Sequence, residues 1–187
     1  MSRTDADRAG LTIAAGWAII ALSAGAALLP AADHIRGPSI IGWLLLTAGA
    51  IEVFAGVNRR SARVPAIAAG LLTVAAGVIL LVGGARGLLP TMTLVTGWLL
   101  LRSIVLLAAT VLVRTSSVRR WTGIAAGTDF LLGALLLLGV SIASLVYNLF
   151  GPTEGLVASF AWVFALSFVA TGTMLLEVGN CERAGAA

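Results

Sequence analysis

The chain has 187 residues, of which 59% are hydrophobic, 22 are glycine and only 11% are charged. An ordinary soluble domain has about 25% charged residues, and a soluble fold of this size cannot hide so much apolar surface from water. One helical crossing of a bilayer takes about 20 apolar residues, so six crossings would use about 120. The composition therefore excludes a soluble enzyme, a nucleic-acid-binding domain and a disordered chain.

Six apolar runs predict an all-α membrane protein with six transmembrane helices. Each run is close to the roughly 17–25 residues that cross a bilayer. The first is interpreted as a retained helix, because its apolar core is longer than that of a signal peptide. We expect a single domain over residues 1–187. In chain order the runs cover residues 11–29, 38–57, 64–83, 90–113, 121–138 and 155–178.

Arginine placement predicts the orientation of these runs. All twelve basic side chains are arginine, and the net charge is +4. Nine of the arginines lie in the two termini and in the connections after the second and fourth runs, whereas the opposite side has only Arg36 and Arg86. Cytoplasmic loops of membrane proteins carry the excess of basic residues. We therefore expect both termini in the cytoplasm.

A repeated pattern divides the six runs into three hairpins. The triplet Ala-Ala-Gly ends at Gly16, Gly70 and Gly127, near the start of each odd-numbered run. Each even-numbered run has a tryptophan near its outer end, for which we expect anchoring at the membrane interface. The pattern predicts parallel repeats about an axis along the membrane normal. The tryptophans are Trp43, Trp98 and Trp162, and the hairpins cover about residues 11–57, 64–113 and 121–178.

The inner end of the second run carries a motif of a known family. Residues 49–52 read Gly-Ala-Ile-Glu, and residues 58–60 read Asn-Arg-Arg. With its three hairpins, the chain resembles the HdeD family of small bacterial inner-membrane proteins, which are linked with acid resistance. The fourth run departs from the motif, since Leu107 stands where the second run has Glu52. The resemblance implies a multi-pass stress protein of the bacterial inner membrane and implies no reaction.

Three charged residues stand inside the predicted spans. Arg102 lies at the middle of the fourth run, where a charge costs roughly 2.5–3.5 kcal/mol on insertion scales and needs a partner inside the bundle. At about 1.5 Å per residue, Glu52 lies roughly 10 Å from the inner ends of the helices, Asp129 roughly 13 Å and Arg102 roughly 18 Å. We expect the three side chains to meet. Asp129 is the favoured partner, because a short loop joins the fourth and fifth runs.

The role of these charges stays open between three interpretations. In the first, Arg102 and Asp129 form a buried ion pair that fixes how two hairpins dock. In the second, two carboxylates and one guanidinium leave a surplus negative charge. Burial disfavours an ionised carboxyl group, so that Glu52 binds a proton as in a proton-linked carrier. In the third, the charges line a solvated cavity and have no proton role.

The other polar residues indicate neither catalysis nor a metal site. His34, in the first outer loop, is a candidate pH sensor because histidine titrates near about pH 6.5, although a solvated side chain is the simpler interpretation. Cys181 is the one cysteine, which excludes an internal disulfide, and we expect an inert thiol. Motifs of hydrolases, zinc peptidases and nucleotide-binding loops are missing. We therefore expect no enzyme, no cofactor and no metal.

The sequence thus predicts a non-enzymatic inner-membrane protein of the HdeD type, linked to acid or envelope stress. One alternative is a small proton-linked channel or transporter whose path is lined by Glu52, Arg102 and Asp129. A second alternative is a scaffold subunit of a membrane complex. The lipid bilayer is the expected partner and nucleic acid is not, while a second copy or another membrane protein stays open as a partner.

Overall fold

A computed structural model describes residues 3–28, 38–84, 90–139 and 155–185 of the chain. This part of the chain forms six α-helices and no strand, which confirms the all-α prediction. Each predicted apolar run corresponds to one helix. The helices are α1 (Arg3–Leu28), α2 (Pro38–Asn58), α3 (Arg63–Gly84), α4 (Thr91–Leu112), α5 (Ser116–Leu137) and α6 (Gly155–Arg183).

Five of these helices are long and apolar enough to cross a membrane, which indicates a multi-pass membrane protein. The exception among the described helices is α5. Every 18-residue stretch within α5 includes both Arg120 and Asp129, which lower its mean hydropathy. The predicted fifth crossing therefore stays a prediction, as do the hairpin repeat and the side of the membrane on which the termini lie.

The helices pack side by side in chain order, and α6 closes the arrangement against α1. The most extensive contacts join α2 to α3, α1 to α6 and α4 to α5. The contacts between α1 and α2, between α3 and α4 and between α5 and α6 are less extensive. Three close pairs thus alternate with three looser contacts around the bundle, and the close pairs link one predicted hairpin to the next.

Glycine residues bring two of the close pairs together. A Cβ atom added to Gly49 of α2 would lie 2.6 Å from the backbone nitrogen of Val74 and 2.9 Å from the carbonyl oxygen of Gly70 on α3. A Cβ atom added to Gly16 of α1 would lie 3.0 Å from the carbonyl oxygen of Gly172 on α6. Small residues permit such close approach of backbones between membrane helices. These glycines therefore fix how each pair docks.

The third glycine of the Ala-Ala-Gly pattern has a different environment. An added Cβ atom at Gly127 of α5 would meet no atom within 4 Å. The contact between α4 and α5 is made instead at Gly133, where the side chains of Leu99 and Leu100 approach to 3.0–3.3 Å of an added Cβ atom. The three copies of the sequence pattern thus do not make equivalent helix contacts.

The C-terminal part of α6 forms hydrogen bonds with neighbouring segments at one end of the bundle. We call this end of the bundle the arginine-loop end and define it by residues 59–62 and 113–115. The backbone N–H of Arg60 donates a hydrogen bond to Glu182 over 2.7 Å. The hydroxyl of Ser117, at the start of α5, donates a hydrogen bond to Glu177. The same end contains a small buried apolar cluster of Val113, Val118 and Val178.

Replacement of Gly49 by alanine tests the close packing of α2 on α3. The added methyl group would lie 2.6 Å from the nitrogen of Val74, so we expect Gly49→Ala to lower the free energy of unfolding by about 1–3 kcal/mol, as overpacking does. Reversible unfolding in mixed micelles, followed by circular dichroism, measures the loss. Gly97→Ala is the matched control, because nothing lies within 4 Å of its added Cβ atom. Equal stability of the two variants would contradict the packing.

Candidate functional site

Arg102 of α4 lies at the centre of a buried cluster of polar side chains. It is 1% exposed, while Glu52 of α2 is 5% and Asp129 of α5 is 0% exposed. The guanidinium Nη2 donates a hydrogen bond to Oε1 of Glu52 over 2.6 Å, and Nη1 donates one to Oδ2 of Asp129 over 2.5 Å. The three charged residues that the sequence placed inside the spans thus meet, and Arg102 bridges both carboxylates.

Two hydroxyl groups of α6 also bind Arg102, whose Nε is buried without a hydrogen-bond partner among the described residues. Nη2 also donates a hydrogen bond to Oγ1 of Thr171 over 2.7 Å, and Nη1 donates one to Oγ of Ser167 over 3.1 Å. Ser167 in turn donates to Oδ1 of Asp129 over 2.6 Å, and Thr171 donates to the backbone carbonyl of Ser167 over 2.9 Å. Each hydroxyl therefore accepts a bond from the cation and gives its own proton to another acceptor.

The second carboxylate oxygen of Glu52 has a weaker partner. The hydroxyl of Thr73 on α3 lies 3.4 Å from Oε2 of Glu52 and 3.0 Å from the carbonyl oxygen of Ala69. The same hydroxyl accepts a hydrogen bond from Nε1 of Trp98 over 3.2 Å. A threonine hydroxyl has one proton to donate, and the shorter distance favours Ala69. Among the four carboxylate oxygens of the cluster, Oε2 of Glu52 is the least satisfied.

The charges of the cluster do not balance when both carboxyl groups are ionised. Glu52 and Asp129 contribute two negative charges and Arg102 one positive charge, so one negative charge is left over. The side chains involved are at most 6% exposed. Burial of an uncompensated charge is costly, and in proteins such a site instead takes up or releases a proton. One bound proton would make the cluster neutral.

Arg102 joins four helices through its own contacts. It bonds to side chains of α2, α5 and α6, and its guanidinium carbon lies 5.7 Å from the ring centroid of Trp98 on α4. That distance is within the range of a cation–π interaction. The Trp98 ring also packs against Phe164 of α6, with ring centroids 5.7 Å apart and ring planes inclined by 43°. One side chain thus links helices from all three close pairs.

A narrow cavity lies between this cluster and the arginine-loop end. Its volume is about 10 Å³, which is roughly the space that one water molecule needs. Glu52, Arg102 and Thr171 line it beside the cluster, and Arg59 lines it beside the loop. The cluster therefore borders a space that can hold a single water molecule.

Arg59 is buried even though it follows the last residue of α2. Its side chain is held by a hydrogen bond from Nε to the carbonyl oxygen of Ser61 over 2.7 Å, and the residue is 4% exposed. Burial lowers the pKa of Arg59 to about 10, while the negative charge of Glu182 acts in the opposite direction. Arg59 is therefore positively charged at neutral pH.

Trp98 departs from its predicted role. We expected an anchor at the membrane interface, but Trp98 is 4% exposed and its indole N–H is bonded to Thr73 inside the bundle. Trp98 is buried because it takes part in the polar cluster: Arg102 lies one turn further along α4 and faces the same way. Trp43, by contrast, is 60% exposed.

The remaining predicted residues lie apart from the cluster. His34 lies outside the described residues, so its role as a pH sensor stays a prediction. The sulfur of Cys181 lies 3.7 Å from Oε1 of Glu177 at the arginine-loop end. In the described parts of the chain, no group of three or more His, Cys, Asp and Glu side chains could hold a metal ion.

The three hydroxyl residues of the cluster were not predicted. Ser167 and Thr171 are four residues apart, so they lie on the same face of a helix, and polar side chains in membrane spans tend to bond across helices. That spacing is the signal that could have found them. Thr73 has no polar neighbour at helical spacing on α3, and only the assembled bundle shows its contact with Glu52.

Comparison with protein-family models, with curated proteins and with solved structures finds no match. The resemblance to the HdeD family therefore rests on the sequence motifs and stays a prediction. What the cluster can do has to be argued from its own geometry.

Replacement of Arg102 tests its role as the common partner. Arg102→Met leaves Glu52 and Asp129 buried without a counter-ion, and we expect a loss of about 3–5 kcal/mol in the free energy of unfolding. The triple variant Glu52→Gln/Arg102→Met/Asp129→Asn removes all three charges, so we expect it to recover at least half of that loss. Unfolding in mixed micelles measures both. A triple variant no more stable than Arg102→Met would refute the assignment of the loss to unpaired charge.

Proposed function

We propose that the chain is a non-enzymatic inner-membrane protein of the HdeD type, which contributes to acid or envelope stress tolerance through a proton bound at Glu52. The observation that supports this proposal most strongly is the bridging of two buried carboxyl groups by the single guanidinium of Arg102. That arrangement has one negative charge too many, and a proton is the simplest ligand that removes it.

The hydrogen bonds favour Glu52 over Asp129 as the proton acceptor. Both oxygens of Asp129 accept short hydrogen bonds, from Arg102 and from Ser167. Oε2 of Glu52 has only Thr73 at 3.4 Å. A proton on Oε2 would donate to the Thr73 hydroxyl, whose own proton then serves the carbonyl of Ala69. Every polar atom of this branch is then satisfied, and the ionised Asp129 neutralises Arg102.

The same charge count explains how the cluster responds to acid. With one proton bound the cluster is neutral, and the links from α4 to α2 and α5 persist. Strong acidification adds a second proton, at Asp129, and Arg102 then loses its last counter-ion inside the membrane. A buried cation without a partner is costly, so these links weaken. On this proposal the cluster is a pH-responsive connection between helices, with the arginine-loop end and both termini in the cytoplasm.

A second candidate function is a small proton-linked channel or transporter. The cavity that connects Glu52 to the level of Arg59 favours it, because such a protein needs access to a titrating carboxyl group. Transport would require the apolar half of the bundle to open as well. The two candidates differ in flux: a pH-responsive connection conducts no solute, and a transporter does.

The role in acid tolerance is tested by complementation of a bacterial strain that lacks the gene. We expect the wild-type chain to restore survival at low pH and the triple variant Glu52→Gln/Arg102→Met/Asp129→Asn to leave survival at least about tenfold lower, because a cluster without charged groups does not respond to acid. Asp7→Asn, an exposed carboxylate of α1, is the control and should behave as wild type. Equal survival with the triple variant and with wild type would contradict the proposal.

The transport candidate is tested in liposomes. Purified wild-type protein in sealed liposomes should leave the decay of an imposed pH gradient unchanged, with or without small organic acids, if the cluster acts as a connection. A pH gradient that collapses faster with wild-type protein, and at the control rate with Glu52→Gln, would establish the transporter instead.

A further inference from the structure

The two halves of the bundle differ in how they surround Glu52. On the side away from the arginine loops, the polar cluster is followed by large apolar side chains from α2, α4, α5 and α6. All of them are at most 4% exposed, and Trp98 packs directly on Phe164 there. The side chains are Leu45, Val95, Trp98, Leu99, Leu132 and Phe164. A larger cavity of about 290 Å³ opens between α3 and α4 in this half, but its lining is apolar except for Thr93, and apolar cavities stay dry.

The half that faces the arginine loops contains a cavity whose lining includes charged groups beside the apolar side chains of Leu106, Met174 and Leu175. The cavity that touches Glu52 runs beside Ala66 and Ala69 of α3, with Thr171 opposite, and reaches Arg59. Glu52 and Arg59 are seven residues apart, which is roughly 10 Å along a helix axis. A cavity of about 10 Å³ holds roughly one water molecule. One water molecule with two hydrogen bonds spans about 5–6 Å, so the rest of the way to the loop opens only when Arg59 moves aside.

Charged groups lie at both ends of this cavity, one end at the cluster and the other at the loop. Arg102 on α4 and Asp129 on α5 act on Glu52 from within the cluster. From α3 and α6 the neighbours are the hydroxyl groups of Thr73 and Thr171. Arg59 is the remaining charged group of the cavity, and its hydrogen bond to Ser61 holds its side chain where the cavity meets the loop.

On the basis of the proton proposed at Glu52, we infer that Glu52 exchanges protons only with the aqueous phase at the arginine-loop end, along the cavity beside Ala69, and that Arg59 closes this path. The arrangement gives the cluster access to one compartment. The protonation of the cluster therefore follows the pH of the compartment that contains the arginine loops. A pH change on the opposite side changes this protonation only through that compartment.

Cysteine accessibility tests the path. Cys181→Ser removes the one cysteine of the chain, and Ala69→Cys and Ala76→Cys then place single thiols on one face of α3. The two alanines are 3% and 6% exposed and seven residues apart; Ala69 lines the cavity beside Glu52, whereas Ala76 lines the apolar cavity between α3 and α4, which an ion does not enter. The probe is Ag⁺, a thiol-specific cation of about the size of a water molecule, added to sealed vesicles. Thiols still free are counted with a maleimide after denaturation.

Vesicle orientation is assigned with Ser61→Cys, whose thiol lies in the arginine loop and reacts with a membrane-impermeant maleimide. With the arginine-loop end outside, we expect Ag⁺ to block the Ala69→Cys thiol at least about tenfold faster than the Ala76→Cys thiol. Addition of Arg59→Ala should accelerate the reaction at Ala69→Cys further. With the opposite end outside, both thiols should stay free over the same time.

Three results would overturn the inference: a thiol at Ala69→Cys that stays free from both sides, one that reacts equally from both sides, or equal rates for Ala69→Cys and Ala76→Cys. Each variant is first checked for a wild-type elution profile, so that misfolded protein is not counted. The outcome is separate from the acid-survival test. Labelling that follows the expected pattern while the triple variant survives as wild type would leave the path intact and refute the proposed function.

Discussion

The bundle depends on the cost of holding a guanidinium where water cannot reach it. Glycines pair α2 with α3 and α1 with α6, but these contacts do not join the pairs to one another. Arg102 does so, because its four N–H···O bonds end on α2, α5 and α6. In a medium of low dielectric constant each bond is strong once made and costly when missing. One side chain therefore dictates which faces of the neighbouring helices turn inward.

The same interaction accounts for the proposed chemistry. A single cation facing two carboxylates cannot balance them, and the imbalance falls on the oxygen with the weakest partner, Oε2 of Glu52. A connection between helices that is neutral only with one proton bound is also a connection that senses protons. The structural and the functional interpretation of the cluster are thus compatible. The ion pair between Arg102 and Asp129 fixes the geometry of the bundle, and the surplus carboxyl group makes the cluster responsive to protons.

The spans and the charged cluster could be predicted because both follow from the bilayer as a solvent. Helix length is set by membrane thickness, and Arg102 needed partners at its own depth. The hydroxyl groups could not be predicted in the same way, since a threonine in a span can bond its own backbone. Thr47 does this with the carbonyl of Trp43 over 2.8 Å, whereas Thr73 has a second partner in Glu52. Trp98 was misassigned although Arg102 stands one turn further along the same helix, because the partner of its indole N–H, Thr73, belongs to another helix.

The central claim is that the neutral state of the cluster contains one proton, at Glu52. Infrared spectroscopy of the protein in lipid bilayers at neutral pH measures this directly, because a protonated carboxyl group has a C=O stretching band separate from that of a carboxylate. We predict such a band in the wild-type protein, shifted by ¹³C labelling of the glutamate carboxyl groups, and its loss in both Glu52→Gln and Asp129→Asn, because either variant leaves one carboxylate to neutralise Arg102. A wild-type spectrum without a protonated carboxyl band, or a band that persists in Glu52→Gln, would contradict the account.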